Sequence, residues 1–243
     1  MKKRSLILLL GSAFIGVPSL AAANSVDLLI AGRLIPMACT PTLSGGAVID
    51  YGDIPVASLH PKEAYTLEDR NVNLTIACQE DTALGIRITD ARADTKPLLN
   101  REIPRPSQHS DSNLAVARTD RQTMGLGLDA ASGKLGVWWM HVDRENLKAS
   151  NSESEIVSEA KLLYSTNNGK SWSRTTTSPL DPHYGGADST TFAIKSIAAT
   201  SPAVAVLHEF PSVVGGAINA RGSLTVKDDT RLNGKGVFTI YYQ

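Results

Sequence analysis

The chain has 243 residues, with 24 basic and 24 acidic side chains and a formal net charge of zero. That balance excludes the basic stripe of a nucleic-acid binder and the polybasic segment that holds a protein to an anionic membrane surface. Hydrophobic residues make up 42% of the chain, which is ordinary for a folded domain and excludes a disordered, highly charged chain.

The first element is an export signal. Lys2, Lys3 and Arg4 precede an apolar run from Leu6 to Val17, and "SLAAANS" follows. A basic start, about a dozen apolar residues and an Ala-x-Ala site predict a signal peptide over residues 1–23, cut after Ala23. Pro18 and Ser19 end the run short of the roughly 20 apolar residues that a membrane span needs. No later segment is long and apolar enough to span either. Cleavage leaves 220 residues with a net charge of −3, because residues 1–23 hold three basic side chains and no acidic one. That length suits one large all-β domain.

Beyond the signal the dominant period is two. Val26, Leu28, Ile30, Gly32 and Leu34 alternate with other types, and so do the residues of "VNLTIAC" (Val72, Leu74, Ile76, Cys78) and "LGIRIT" (Leu84, Ile86, Ile88). "GVWWMHV", "TTFAIKSI", "GSLTVK" and the terminal "VFTIYY" follow the same rule. Each run is short, rich in β-branched or aromatic residues and bounded by turn formers, which predicts strands. The best helical candidate is Glu153 to Leu163, as one short helix. Trp138 and Trp139 are consecutive in a predicted strand, so they point to opposite faces, one into the core and one outside. Two stretches are too polar for strands. Asp90 to Gln122 contains Pro97, Pro104 and Pro106, and Arg144 to Ser158 is charged and Ser-rich. Many short strands with turn signals predict an all-β sandwich with two long polar insertions.

Cys39 and Cys78 are the only cysteines. An even count in an exported chain predicts one disulfide between them. Neither C-x-x-C spacing nor neighbouring His ligands point to redox or metal chemistry.

Catalytic motifs are missing. His60, His109, His141, His183 and His208 are scattered, with none at metal-ligand spacing. "GLGLDAASG" lacks the third glycine and the following helix of a dinucleotide site, and no nucleophile elbow, P-loop or zinc-protease motif occurs. "STNNGKSW" (Ser165 to Trp172) resembles the Asp-box hairpin of sialidase-type propellers, with Asn167 in place of the aspartate and Ser171 in place of the threonine. A propeller repeats such blades; here there is one copy, and Asn168-Gly169 is ordinary hairpin turn chemistry. The expectation is no enzyme, no cofactor and no metal.

The order of the remaining motifs resembles a chaperone–usher pilin. "SVDLLIAGRLIPMAC" runs into the first cysteine, "AVIDYGDIPVASL" follows, "VNLTIAC" reaches the second cysteine, and "GVFTIYYQ" ends the chain with a penultimate Tyr242. "ACTP…GGAVIDYG" and "GLGLDAASGKLG…VDREN" are similar to the GltF-type fimbrial-like family. The resemblance implies an immunoglobulin-like sandwich over residues 39–243 that lacks its last strand. It implies that residues 24–38 form a donor segment, with Val26, Leu28, Ile30, Gly32 and Leu34 entering a neighbouring subunit. The C-terminal strand with Phe238, Ile240 and Tyr242 would be the accepting edge. The implied partners are a periplasmic chaperone, an outer-membrane usher, other fimbrial subunits and, at a tip, a host glycan. The implied location is the periplasm or an extracellular fimbrium. Two features depart from the pilin pattern: the insertions lengthen the chain, and Thr230 stands where pilins tend to place a glycine. They leave open a shaft subunit, a minor or tip-proximal subunit, or a relative that no longer polymerises. The alternative is a glycan-binding module that does not polymerise and uses Trp138, Trp139 and Trp172.

Overall fold

The computed structural model describes residues 38–105, 119–175, 180, 190–227 and 229–243. The predicted signal peptide and the Val26 to Leu34 segment lie outside the described residues. Three strands come first: β1 (Cys39–Leu43), β2 (Tyr65–Thr66) and β3 (Arg70–Asp90). β4 (Met124–Gly125), β5 (Gly136–Val142) and β6 (Lys148–Ser150) follow. The rest are β7 (Ser158–Ser165), β8 (Ser173–Arg174), β9 (Thr191–Ser196), β10 (Val204–Ile218) and β11 (Gly236–Tyr242). Among the described residues the only helical pieces are short 3-10 turns, and no helix is long and apolar enough to cross a membrane.

Two runs that the alternation predicts separately, around Leu74 and around Ile86, are one strand. β3 keeps Leu74, Ile76, Leu84, Ile86 and Ile88 buried along its 21 residues. Opposite β10, however, the two steps from Ala205 to Leu207 are matched by five on β3, from Thr82 to Ala77. Extra residues in one strand of a pair bend it sharply, so β3 turns a corner there. His208 braces the corner: its Nε2–H donates to the carbonyl oxygens of Thr82 at 3.1 Å and Ala205 at 3.2 Å.

The corner makes two sheet halves from one strand. Before it, β3 is flanked by β1 and β10, and β10 carries β5 and then β4. After it, β3 is flanked by β11 and β9, followed by β7 and β8. β2 and β6 pair with the two remaining stretches of β10. Leu74, Ile76, Met140 and Phe210 from the first half share one core with Ile86, Ile88, Leu162 and Phe192 from the second. Each such side chain contributes roughly 1.5–3 kcal/mol by leaving water. The molecule is the all-β sandwich that the alternation predicts, closed by a bond between Cys39 and Cys78.

Several expectations need correction. Glu153 to Leu163 is not a helix. A turn at Ser152–Ser154 leads into β7, because β-branched and apolar residues there pack across the sheet. "GSLTVK" forms no strand; Arg221–Ser223 is a 3-10 turn, and the chain beyond it is irregular. The insertions are also less loose than their polarity suggests. β6 lies inside the second, and Leu99 and Ile103 of the first are buried against Val137 and Trp139. Trp138 and Trp139 do face opposite sides of β5, but neither faces open solvent. Trp139 is 2% exposed because the first insertion covers the outer face of its sheet half.

His141 lies on that same face of β5. It is buried, and neither ring nitrogen has a hydrogen-bond partner among the described residues. Desolvation disfavours the imidazolium and pulls its pKa down from 6.5 to about 4. Above pH 6.5 the histidine is neutral in both states and adds no pH dependence. Between pH 6.5 and 4 only the unfolded chain takes up the proton, so stability falls by about 1.4 kcal/mol per pH unit. Burial also lowers the His208 pKa, which adds to the same slope. Urea unfolding at pH 7, 5.5 and 4.5 is expected to show a shallower decline for His141→Leu than for wild type. Equal slopes would exclude His141 as a source.

Candidate functional site

The two strands that flank β3 on one side both end a sheet half. β1 pairs only with β3 before the corner, Cys39 opposite Cys78 and Leu43 opposite Leu74. β11 pairs only with β3 after it, Gly236 opposite Asp90 and Tyr242 opposite Leu84. Among the described residues no strand covers the other edge of either, so each presents a row of unpaired backbone groups. Between these edges the sandwich is open. A groove of about 250 Å³ runs between Leu43 and its following turn on one side and Gly236 and Phe238 on the other. Its floor is core: Val72 of β3, Met140 of β5 and Val214 of β10.

Each lip has a local cause. After β1 the chain passes through Gly45 (φ 76°), Gly46 (φ 81°) and Ala47 (φ 62°), three left-handed residues in a row. Glycine adopts that region without strain, while alanine there costs roughly 1 kcal/mol. The turn throws Val48 outward, where it is 75% exposed beside the groove. On the other lip, Gly234 and Gly236 lie against the Trp138 indole. A β-carbon at 234 would sit 2.8 Å from Nε1, and one at 236 would sit 2.8 Å from Cη2. These glycines let the backbone close over the ring.

The C-terminal strand β11 has two distinct faces. Phe238 and Ile240 turn inward and pack against the core, while Val237 and Thr239 face out. Tyr242 shares their face but lies at the rim, 45% exposed, and its hydroxyl accepts a hydrogen bond from the Cys39 amide at 3.2 Å. On the other face the Arg87 guanidinium stands 4.2 Å from the Tyr241 ring centroid. Arg87 also donates to Thr191 Oγ1 at 2.9 Å and to Asn168 Oδ1. β11 is thus pinned along its length while one edge stays open. Leu43, Ser44 and Ala47 line the groove yet escape a reading by alternation, which gives Trp138 a strand face but no groove. The paired glycines are the one sequence signal of that lip.

The "STNNGKSW" segment is a structural turn between β7 and β8. Asn168 (φ 58°) and Gly169 (φ 83°) both adopt left-handed backbone, as a tight hairpin turn requires. Asn167 Oδ1 accepts from the Ser171 amide at 3.0 Å, and its Nδ2 donates to Ser171 Oγ at 2.8 Å. The turn holds Arg87 through Asn168. Asn167 Oδ1 also accepts from the Ser165 hydroxyl at 2.8 Å. Replacing Asn167 with alanine removes all three bonds and is expected to lower stability by about 1–2 kcal/mol, measured as a shift in the urea midpoint. No shift would mean that the backbone turn stands alone.

A family model described as "Protein of unknown function (DUF1120)" matches residues 28–139. Its span runs from the predicted donor segment through both cysteines to Trp139 of β5. The protein GltF of Escherichia coli (strain K12) is 24% identical over 242 residues, covering 92% of this chain and 91% of that protein. The uncharacterised protein YhcF of the same organism is 30% identical over 178 residues, 72% of this chain and 74% of that protein. With identity at that level sustained over most of both chains, this protein belongs to the family of YhcF.

Proposed function

We propose that this chain is an exported structural subunit of an extracellular fibre, completed by a strand from a neighbouring subunit. The observation that carries the reading is the apolar groove between the unpaired edges of β1 and β11. A strand is the ligand that meets both needs of such a site. Its backbone satisfies exposed edge groups, and its alternate side chains fill the floor. The seven residues of β11 extend over about 23 Å, and nine residues from Val26 to Leu34 reach about 30 Å. Val26, Leu28, Ile30 and Leu34 would point into the groove, with Asp27 and Arg33 outside. In this reading a periplasmic chaperone covers the groove before assembly, an outer-membrane usher directs the exchange, and the chain ends in a fimbrium.

The test is the mature chain with Leu28→Asp and Ile30→Asp beside wild type. The variant is expected to fold, keep its disulfide and bind a peptide copying Ser25 to Ile35, yet fail to enter polymers in electron microscopy and native mass spectrometry. A variant that unfolds, with a wild type that never binds the peptide, would assign the segment to its own fold and end the proposal. The same reading assigns no hydrolysis to the chain. A fluorogenic sialoside is expected to give no turnover, and turnover lost on an Asn167 substitution would overturn that.

A further inference from the structure

Trp138 lines the groove, and its indole Nε1 is buried without a hydrogen-bond partner. An indole N–H is donor only, and a buried donor left unpaired weakens the fold that contains it. Natural proteins leave few such groups, and each needs a reason. The Tyr51 hydroxyl, also in the groove lining, is likewise buried and unpartnered. Of the described residues with unpartnered buried side-chain atoms, these two therefore share the one apolar opening between free strand edges. Glycine backbone lies against two parts of the indole. Gly234 lies against Nε1 and Gly236 against the six-membered ring. Asn233 and Lys235 are each tied down, by the Asn233 amide to the Leu126 carbonyl at 2.7 Å and by the Ala91 amide to the Lys235 carbonyl at 2.9 Å. Gly234 between them carries no side chain to hold it over the ring.

We infer that the Trp138 indole N–H is the polar anchor of the groove, donating to a backbone carbonyl of the strand that enters it. The inference rests on the strand-accepting reading and adds to it a polar contact that only an extended backbone supplies. The Gly234 backbone lies over Nε1, so the contact requires that glycine to shift as the strand enters. An extended peptide brings a carbonyl at every residue, whereas an aliphatic ligand brings none, so the anchor also selects strands over lipid-like occupants.

The experiment uses the full mature chain with Leu28→Asp and Ile30→Asp, to prevent self-association, and the peptide copying Ser25 to Ile35. In ¹H–¹⁵N spectra the three indole N–H signals, from Trp138, Trp139 and Trp172, are assigned by single Trp→Phe variants. The Trp138 signal is expected to move downfield on peptide addition while those of Trp139 and Trp172 stay. Trp138→Phe is expected to weaken peptide binding about tenfold in a domain that stays folded, although the smaller ring lowers the urea midpoint. A purely packing role would leave the Trp138 signal in place on peptide addition. Gly234→Ala, which sets a β-carbon against Nε1, is expected to weaken binding to a similar degree. If the peptide binds with the Trp138 signal unmoved and Trp138→Phe binding as tightly, the anchor is wrong and strand acceptance stands. If the peptide does not bind at all, both fall.

Discussion

Breaking the Cys39–Cys78 bond is expected to remove roughly 4 kcal/mol of stability, from the chain entropy of a loop of 39 residues. Against a total of about 5–15 kcal/mol for a domain this size, the reduced protein would stand near its folding threshold. The loss should also be local before it is global. β1 has little apolar burial of its own: Thr40, Pro41 and Thr42 are exposed, and only Cys39 and Leu43 are partly buried. Its pairing with β3 and the disulfide are what hold it. Urea unfolding of the Cys39→Ser, Cys78→Ser variant gives the global value. Hydrogen exchange should show the amides of residues 39–43 losing protection first. Because β1 is one wall of the groove, the same variant is expected to lose affinity for the Ser25 to Ile35 peptide even under conditions where it remains folded. An unchanged midpoint with intact protection in β1 would mean that the strand is held by packing instead.

Trp139→Ala is expected to cost about 3–5 kcal/mol, the range for emptying a large buried aromatic site. The ring is sealed between the sheet and the first insertion, touching the cluster of Leu99, Ile103, Val137 and Ala217. Gly215, its partner across β10, makes that site: a β-carbon there would lie 2.7 Å from the indole nitrogen. Removing the ring takes away what the insertion packs upon. Limited proteolysis should therefore cut within residues 93–105 in the variant and spare them in wild type. Trp138 lies on the opposite face, so the groove should survive, and peptide binding separates the two roles. A variant of wild-type stability would mean that the insertion is held by its hydrogen bonds, such as Leu99 N–H to Asp120 at 2.7 Å and Asn219 to the Glu102 carbonyl at 2.9 Å.

The period-two runs at Leu74, Ile86, Val137 and Phe238 were legible because burial on one face alternates with position, which depends only on local backbone geometry. The cysteine pair was legible for an equally general reason, an even count in a chain whose opening residues predict export. β10, the central strand, is absent from the runs that alternation predicts. Pro211 and the Gly215-Gly216 pair interrupt its pattern, and proline is rarely central in a sheet. Only the assembled sheet explains the exception. The Pro211 carbonyl accepts from Asp143 at 2.7 Å, on the side where β6 stops at Glu209 and β5 begins pairing at Ser212. The missing N–H falls in that gap, where no partner strand asks for it.

The groove divides in the same way. That a last strand should accept something was implied by Phe238, Ile240 and Tyr242 and by the motif order around the cysteines. Where the opening lies was decided by the corner in β3, which sets β1 and β11 on the rims of two facing halves. A bulge of that kind has no signature in a single strand, because it exists only as a mismatch with the neighbour across the ladder. The unpaired indole of Trp138 is a tertiary fact for the same reason. The sequence by itself determined which faces are apolar, since side-chain chemistry and backbone period are local. The fold decided which polar atoms those faces leave without partners, since partnership depends on residues far apart in the chain.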